Sequence, residues 1–334
     1  IGSNERAFDE SKYARKIANY LNTDHTEVSI SSKDALNTIP LLSDIYDEPF
    51  ADASQIPTYL VSKLAKKHVK VVLSGDGADE IFMGYNRYSF AKKIFKLKEK
   101  TPNILRQLIS KGIRLVPSRL YDSLSRPFQK LLGIHGFSHK MSKLSNILEY
   151  KNNSDFYEKL NIFDNEVLDN KSMYHRNIFN KYQDIDLIHS VQRNDIDFYL
   201  PNDILVKVDR ASMFNSLEVR SPFLSHNVVN KAFELPIEFK LRNKVTKYIL
   251  KDLLSDFLPK SFVYRPKMGF AIPIERWISN KKFRKTLDNI FYESCWEEFG
   301  WKSEKVLKKW LDYKKFGSST PQCIWLYLMA GLWL

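Results

Sequence analysis

Hydrophobic positions along the chain recur at two spacings. Between residues 8 and 22, Ala14, Ile17, Ala18 and Leu21 fall at i, i+3, i+4 and i+7, the period of an amphipathic helix. Asp9 and Glu10 stand in its first turn, where the helix dipole favours acids. His25 to Ile30 alternates as a strand, helical patterns follow at 32–43 and 54–67, and the apolar run 69–73 reads as a buried parallel strand. Helices and strands alternating over short connections predict a parallel sheet with right-handed crossovers. From residue 91 to about 190 the pattern is helical and basic, cut into short segments by Asn103, Pro117, Gly133, Gly136 and Asn152-Asn153. The apolar run Ile324 to Met329 near the end predicts a helix packed on the core.

Composition narrows the class. At 334 residues, 43% hydrophobic and 27% charged, the chain can build one large or two modest cores. No apolar run of about 18 residues predicts a spanning helix, so no membrane partner is expected. Cys295 and Cys323 form neither a metal-ligand spacing nor a disulfide framework, which suits a reducing cytoplasm. The formal charge of +13 raises the question of nucleic acid. The lysines read as dispersed. The densest tract, Arg87 to Lys100, interleaves Tyr88, Phe90, Ile94, Phe95 and Leu97 with Lys92, Lys93, Lys96 and Lys98, as an amphipathic helix with a solvated basic face does. A nucleic-acid groove is the lesser reading.

The chemistry concentrates after the run 69–73, in Ser74-Gly75-Asp76-Gly77-Ala78-Asp79-Glu80. Glycines allow a tight turn and close backbone approach to a ligand, and loops after parallel strands are where α/β sheets bind ligands. Asp76, Asp79 and Glu80 lie within five residues and repel one another unless a cation or a basic side chain compensates. Mg2+ held together with phosphate oxygens is one reading, and a solvated acidic turn before a helix is the other. Farther on, Asp203, Lys207, Asp209 and Arg210 share a segment whose spacing predicts a buried helix. Its charges then need partners, either in an ion-pair lattice against the acidic loop or in a substrate.

Continued through Ile81-Phe82-Met83-Gly84-Tyr85, the acidic loop resembles the SG(E/D)GxDExFxGY signature of the asparagine synthetase family. Residues 199–224, from Tyr199-Leu200-Pro201 to Ser221-Pro222-Phe223-Leu224, resemble the family's YLPxDxLxKxDRxSMxxSLExRxPFL motif. Phe8 to Arg15, Thr23 to Glu27, Tyr46 to Asp52 and Gln55 to Leu60 agree as well. Lys247 to Lys251 resembles a KxxLK helix start, and Arg265 to Pro273 an RxKxGFxxP loop. Asp76 stands where glutamate is more frequent, and Met83 where glycine is common.

The resemblance implies an adenine-nucleotide α-hydrolase-like, Rossmann-like α/β fold with extensive helical additions. Its parts would be a nucleotide-binding core at 1–90, a helical insertion at 91–195 and the helical remainder at 196–334. It implies a carbon-nitrogen ligase, an asparagine synthase that amidates aspartate through β-aspartyl-AMP, using ATP, Mg2+ and ammonia derived from glutamine. Carried over by motif, Ser74, Gly75 and Lys247 would bind the nucleotide, Asp79 the metal and Asp203 the substrate. Asp76 and Lys267 would be catalytic. The family's SGGxDS pyrophosphate loop and glutaminase domain have no counterpart among these residues, so a C-terminal portion of a longer synthetase is expected. A homodimer is left open. The alternatives are a relative acting on another carboxylate, such as a surface-polysaccharide sugar or a β-lactam precursor, or a non-catalytic binding remnant.

Overall fold

The computed structural model describes residues 2–3, 9–116, 120–121, 137–161, 179–182, 184–265, 274–316 and 321–334. It divides into two compact units, one formed by residues 1–84 and 198–334, the other by 85–197.

In the first unit β1 (Gly2–Ser3) runs parallel to β2 (Ser29–Ile30), separated in sequence by α1 (Ser11–Leu21). The strand expected over 25–30 is reduced to its last two residues. Ser31 then caps α2 (Ser32–Thr38) through a capping box with Asp34. The helix expected over 32–43 is not continuous. Pro40 lacks an N–H to donate, and the chain passes through a 3-10 turn, Ile39–Leu41, before the short α3 (Leu42–Ile45). α4 (Gln55–Ala65) leads to β3 (Val71–Leu73), followed by the single turn α5 (Ala78–Ile81). β3 is parallel as expected, but it is not buried: Leu73 is 73% exposed and Val71 also faces solvent. Among the described residues β3 has one strand partner, so its other edge gains no cover from the sheet.

The unit 85–197 is helical in its described residues. It contains α6 (Asn86–Lys100), α7 (Asn103–Leu115), α8 (Phe137–Leu148), α9 (Asn153–Asn161) and α10 (Leu187–Asn194). α7 packs along α8, where the Ser110 hydroxyl donates to the Ser145 carbonyl at 2.9 Å and Arg114 reaches Glu149 at 2.7 Å. Asp195 is fully buried and held by Arg87 Nε at 2.9 Å and the Tyr157 hydroxyl at 2.6 Å. Burial raises its pKa, and the Arg87 charge and Tyr157 hydrogen bond offset only part of that.

The chain continues through a π-helical run, Asp195–Leu205, with Pro201 inside it. A wider turn is one way to accommodate a residue that cannot donate to the helix ladder. α11 (Val206–Met213) leads to β4 (Glu218–Arg220), whose Glu218, Val219 and Arg220 pair in parallel with Val71, Val72 and Leu73. α12 (His226–Glu234) contributes Ala232 to a core of Ile81 and Phe82, lined by Phe223, Leu224 and Leu250. This cluster anchors the far side of the acidic loop. β5 (Leu241–Arg242) and β6 (Val245–Thr246) form an antiparallel pair ahead of α13 (Tyr248–Leu254). The end of the chain packs as expected: α14 (Pro321–Gly331) buries Ile324, Trp325, Tyr327, Leu328 and Met329. Phe291 stacks on Trp310 at 5.1 Å in the same region. Among the described residues no helix is long and apolar enough to cross a membrane.

Candidate functional site

The β3–β4 ladder continues one residue past β3, where Ser74 N–H donates to the Arg220 carbonyl at 2.9 Å. This fixes the Ser74 hydroxyl 2.9 Å from that of Ser221. Gly75 follows with open space beside it; a Cβ there would meet nothing within 4 Å. Gly77 is different. Its φ of +85° is one that L side chains resist, and a Cβ would lie 2.3 Å from Leu224 Cδ2. The glycine lets the chain turn sharply over the Ile81–Phe82 core and start α5.

The loop's carboxylates have separate surroundings. Glu80 is buried, while Asp76 and Asp79 are half-buried. Asp79 Oδ1 lies 2.9 Å from Lys247 Nζ, so the basic side chain required by the crowded charges arrives from the residue before α13. Lys247 has φ +51°, a left-handed conformation that costs a non-glycine residue about 1 kcal/mol or more. Gly84 closes over this pair: its N–H donates to the Asp79 carbonyl at 2.7 Å, and its Cα leaves no room for a side chain. Met83, where the family commonly has glycine, adopts φ +55° and is fully buried, so side-chain burial offsets its backbone strain.

A cavity of about 490 Å3 opens beside the start of the loop, lined by Ser74, Gly75 and Asp76, by Ser54 and Thr58 of the α4 region, and by Lys207 of α11. Lys207 is nearly buried. Its Nζ donates to Asp52 Oδ2 at 2.5 Å and stands 3.9 Å from Asp203 Oδ1. Asp52 also accepts from Ser54 N–H and the Ser54 hydroxyl, each at 2.8 Å. Burial pushes the Asp52 carboxyl up, but the Lys207 charge and these hydrogen bonds outweigh it and hold the pKa below the usual value. Burial, with the nearby Asp52 and Asp203 charges, pushes the Tyr46 phenol well above its ordinary range. The Tyr46 hydroxyl donates to the Lys207 carbonyl at 3.3 Å.

The structure thus sorts the residues singled out by sequence into groups. Ser74, Gly75 and Asp76 share the cavity wall. Asp79 and Lys247 pair with each other and are not among its lining residues. Asp203 joins Lys207 and Asp52, a cluster that sequence reasoning missed. The visible signal was the i, i+4 spacing of Asp203 and Lys207. Lys267 lies outside the described residues.

The expectation of a buried helix at 203–210 with its charges paired against the acidic loop is corrected. Asp209 and Arg210 are exposed, and the ion pairs Lys207–Asp52 and Arg210–Asp47 tie α11 to residues 47–52, not to the acidic loop. Glu218 and Arg220 pair with each other on the surface at 2.7 Å.

Among the described residues no three His, Cys, Asp or Glu side chains could hold a metal by themselves. Mg2+ shared with phosphates needs only one or two protein carboxylates. Asp79 provides one such carboxylate, which fits the donor chemistry of a phosphate-bridged cation.

These features define a mixed α/β protein with a small parallel sheet, extensive helices and a cavity beyond the end of a parallel strand. The sequence profile described as asparagine synthase matches residues 1–334, and the chain belongs to that family. Glutamine-hydrolyzing asparagine synthetase 1 of Bacillus subtilis (strain 168) is 30% identical over 341 residues, covering 100% of this chain and 51% of the relative. A Mycobacterium bovis relative, whose name is also that of a glutamine-hydrolyzing asparagine synthetase, is 31% identical over 285 residues, 83% of this chain and 41% of its own length. The asparagine synthetase of Cricetulus griseus is 22% identical over 288 residues, 84% of this chain and 35% of the relative. The chain spans about half the length of the Bacillus relative.

Proposed function

We propose that this chain is the synthetase portion of a glutamine-dependent asparagine synthetase, with a Rossmann-like, adenine-nucleotide α-hydrolase type of core. One observation carries the reading: the serine-glycine-aspartate turn opens on a cavity with unfilled space at Gly75, beyond the end of a parallel strand. Family membership supports it further. The aspartate side-chain carboxylate attacks the α-phosphorus of ATP, the bond to the bridging oxygen breaks, and pyrophosphate leaves. Ammonia then attacks the activated carbonyl carbon, and AMP leaves.

In this reading Ser74 and Gly75 hold the AMP portion and Asp76 orients the amine or takes its proton. Lys247 and Lys267 neutralise phosphate oxygens, and Asp203 contacts the amino-acid substrate. Asp79 would hold Mg2+, which when bound offsets phosphate charge. The test is aspartate-dependent formation of AMP and asparagine from ATP and ammonium by the natural protein that carries this chain. AMP formation driven by a different carboxylate, or none at all, would overturn the reading.

Two variants probe the loop. Asp76→Asn is expected to lower amide formation about 100-fold while largely sparing adenylation, because a positioned base contributes on that order. ATP–pyrophosphate exchange measured beside asparagine yield separates the steps, and equal loss in both would remove Asp76 from the second. Gly75→Ala should change stability by less than about 0.5 kcal/mol, since its Cβ points into free space. The same methyl should weaken ATP binding about ten-fold, or roughly 1.4 kcal/mol, by occupying ligand space. Calorimetric titration with ATP and a thermal melt read the two effects; unchanged affinity would move the nucleotide elsewhere.

A further inference from the structure

The unit 85–197 holds a buried positive charge with no acid against it. Arg106, in the first turn of α7, is only 7% exposed. Its Nη2 donates to Asn103 Oδ1 at 3.2 Å, and its buried Nε has no hydrogen-bond partner among the described residues. The Asn103 amide is neutral, so it orients the guanidinium and leaves the charge unanswered. The acids at 149 and 155 are taken, Glu149 by Arg114 at 2.7 Å and Asp155 by Lys159 at 2.8 Å. Glu99, beside Lys98 in sequence, faces solvent.

A second cation joins the first. Lys98, near the end of α6, is half-buried and lays its ammonium over the Tyr150 ring, 4.3 Å from the centroid. Burial, with the Arg106 charge added, pulls the Lys98 pKa down. Burial pushes the Tyr150 phenol up to about 12 against the opposing Arg106 charge. Arg106 is therefore the charge that both side chains feel. α7 also starts without a side-chain cap and without an acid in its first turn, so the positive end of its dipole adds to the same field. An arginine buried for its aliphatic stem would explain the covered methylenes, but not the orphaned Nε. Uncompensated buried charge is costly, and an anion held between the two cations would remove that cost.

We propose that Arg106 and Lys98, with the uncapped start of α7, form an anion site that takes a phosphoryl dianion, as the free ion or on a phosphomonoester. The guanidinium fork can meet two phosphoryl oxygens and the ammonium a third, which matches two positive charges better than a single carboxylate does. The half-buried Lys98 keeps one side of the site within reach of solvent. The site belongs to the unit 85–197 alone and does not depend on the proposed reaction.

The experiment is calorimetric titration of the full chain with inorganic phosphate, at an ionic strength held constant with sodium chloride. Phosphate should bind in preference to chloride, and sulfate should compete with it. Arg106→Met should weaken phosphate binding about ten-fold or more, the worth of a charge-assisted hydrogen bond, and Lys98→Met should act in the same direction. Thermal melts add a readout that a packing role would not move: phosphate should raise the melting temperature of the wild type more than that of Arg106→Met. Should Arg106→Met fail to fold, Lys98→Met, at a half-buried position, carries the titration. Methyl phosphate bound as well as the free ion would identify a phosphomonoester as the ligand, and its exclusion would identify the free ion; either result upholds the site. No preference for phosphate over chloride, or affinity unchanged in the folded variants, overturns the proposal. So does affinity lost in Lys247→Met but kept in both other variants, which would place the ion at the proposed nucleotide site.

Discussion

Gly84→Ala should unseat the acidic loop, at a cost of about 3 kcal/mol or more in stability. The new methyl would sit 1.7 Å from Asp79 Oδ1 and 2.8 Å from Lys247 Cε, so either the backbone or the ion pair must move. The backbone is pinned by the Gly84 N–H to Asp79 carbonyl bond at 2.7 Å and by Met83, buried at φ +55°. The Asp79–Lys247 pair, joined at 2.9 Å, is the part that yields. Chemical denaturation would show the lost stability, and ATP affinity should fall with it under the proposed function. A variant as stable as the wild type would mean that the loop has slack which this packing does not indicate.

Lys207→Met should destabilise the protein by about 3 kcal/mol at neutral pH, the lower end for breaking a buried pair, because Asp52 keeps some solvent contact. Methionine fills the space of the lysine stem but leaves the Asp52 carboxylate without its cation. The pH dependence gives this prediction its signature. Asp52 titrates below its usual value in the folded protein, so its contribution is fully present above the unfolded value, about pH 4, and is lost as pH falls through the folded one. The stability gap between wild type and variant should therefore narrow on acidification below about pH 4. Urea titrations at neutral and acidic pH measure it. A gap independent of pH would assign the loss to packing instead.

The acidic loop was legible in sequence because its chemistry is local. Ser74, Gly75, Asp76 and Asp79 are consecutive or nearly so, and three carboxylates in five residues announce a need for positive charge. Sequence did not reveal which cation answers. Lys247 is distant in the chain and reaches Asp79 from a strained turn, which no spacing rule predicts. The Asp52–Lys207 contact spans 155 residues, and Asp52 alone resembles any acidic residue before a helix. The strand before the loop was recognised as parallel, but burial was inferred from its apolar letters. Exposure of Leu73 depends on which strands stand beside it, and that is not written in the strand.

By itself, the sequence determined the period of the elements, the glycine-bearing turn after β3, the helical character of the middle of the chain and, through long motifs, the family. These are short-range properties, set by side-chain spacing and backbone stereochemistry. Only the tertiary structure decided that Asp79 is answered by Lys247, that Asp52 and Asp203 converge on Lys207, and that α7 turns its leucines outward while burying Arg106. An amphipathic pattern says that a helix has two faces. Which face meets protein is settled by the surfaces its neighbours offer, and here α8 meets the polar one.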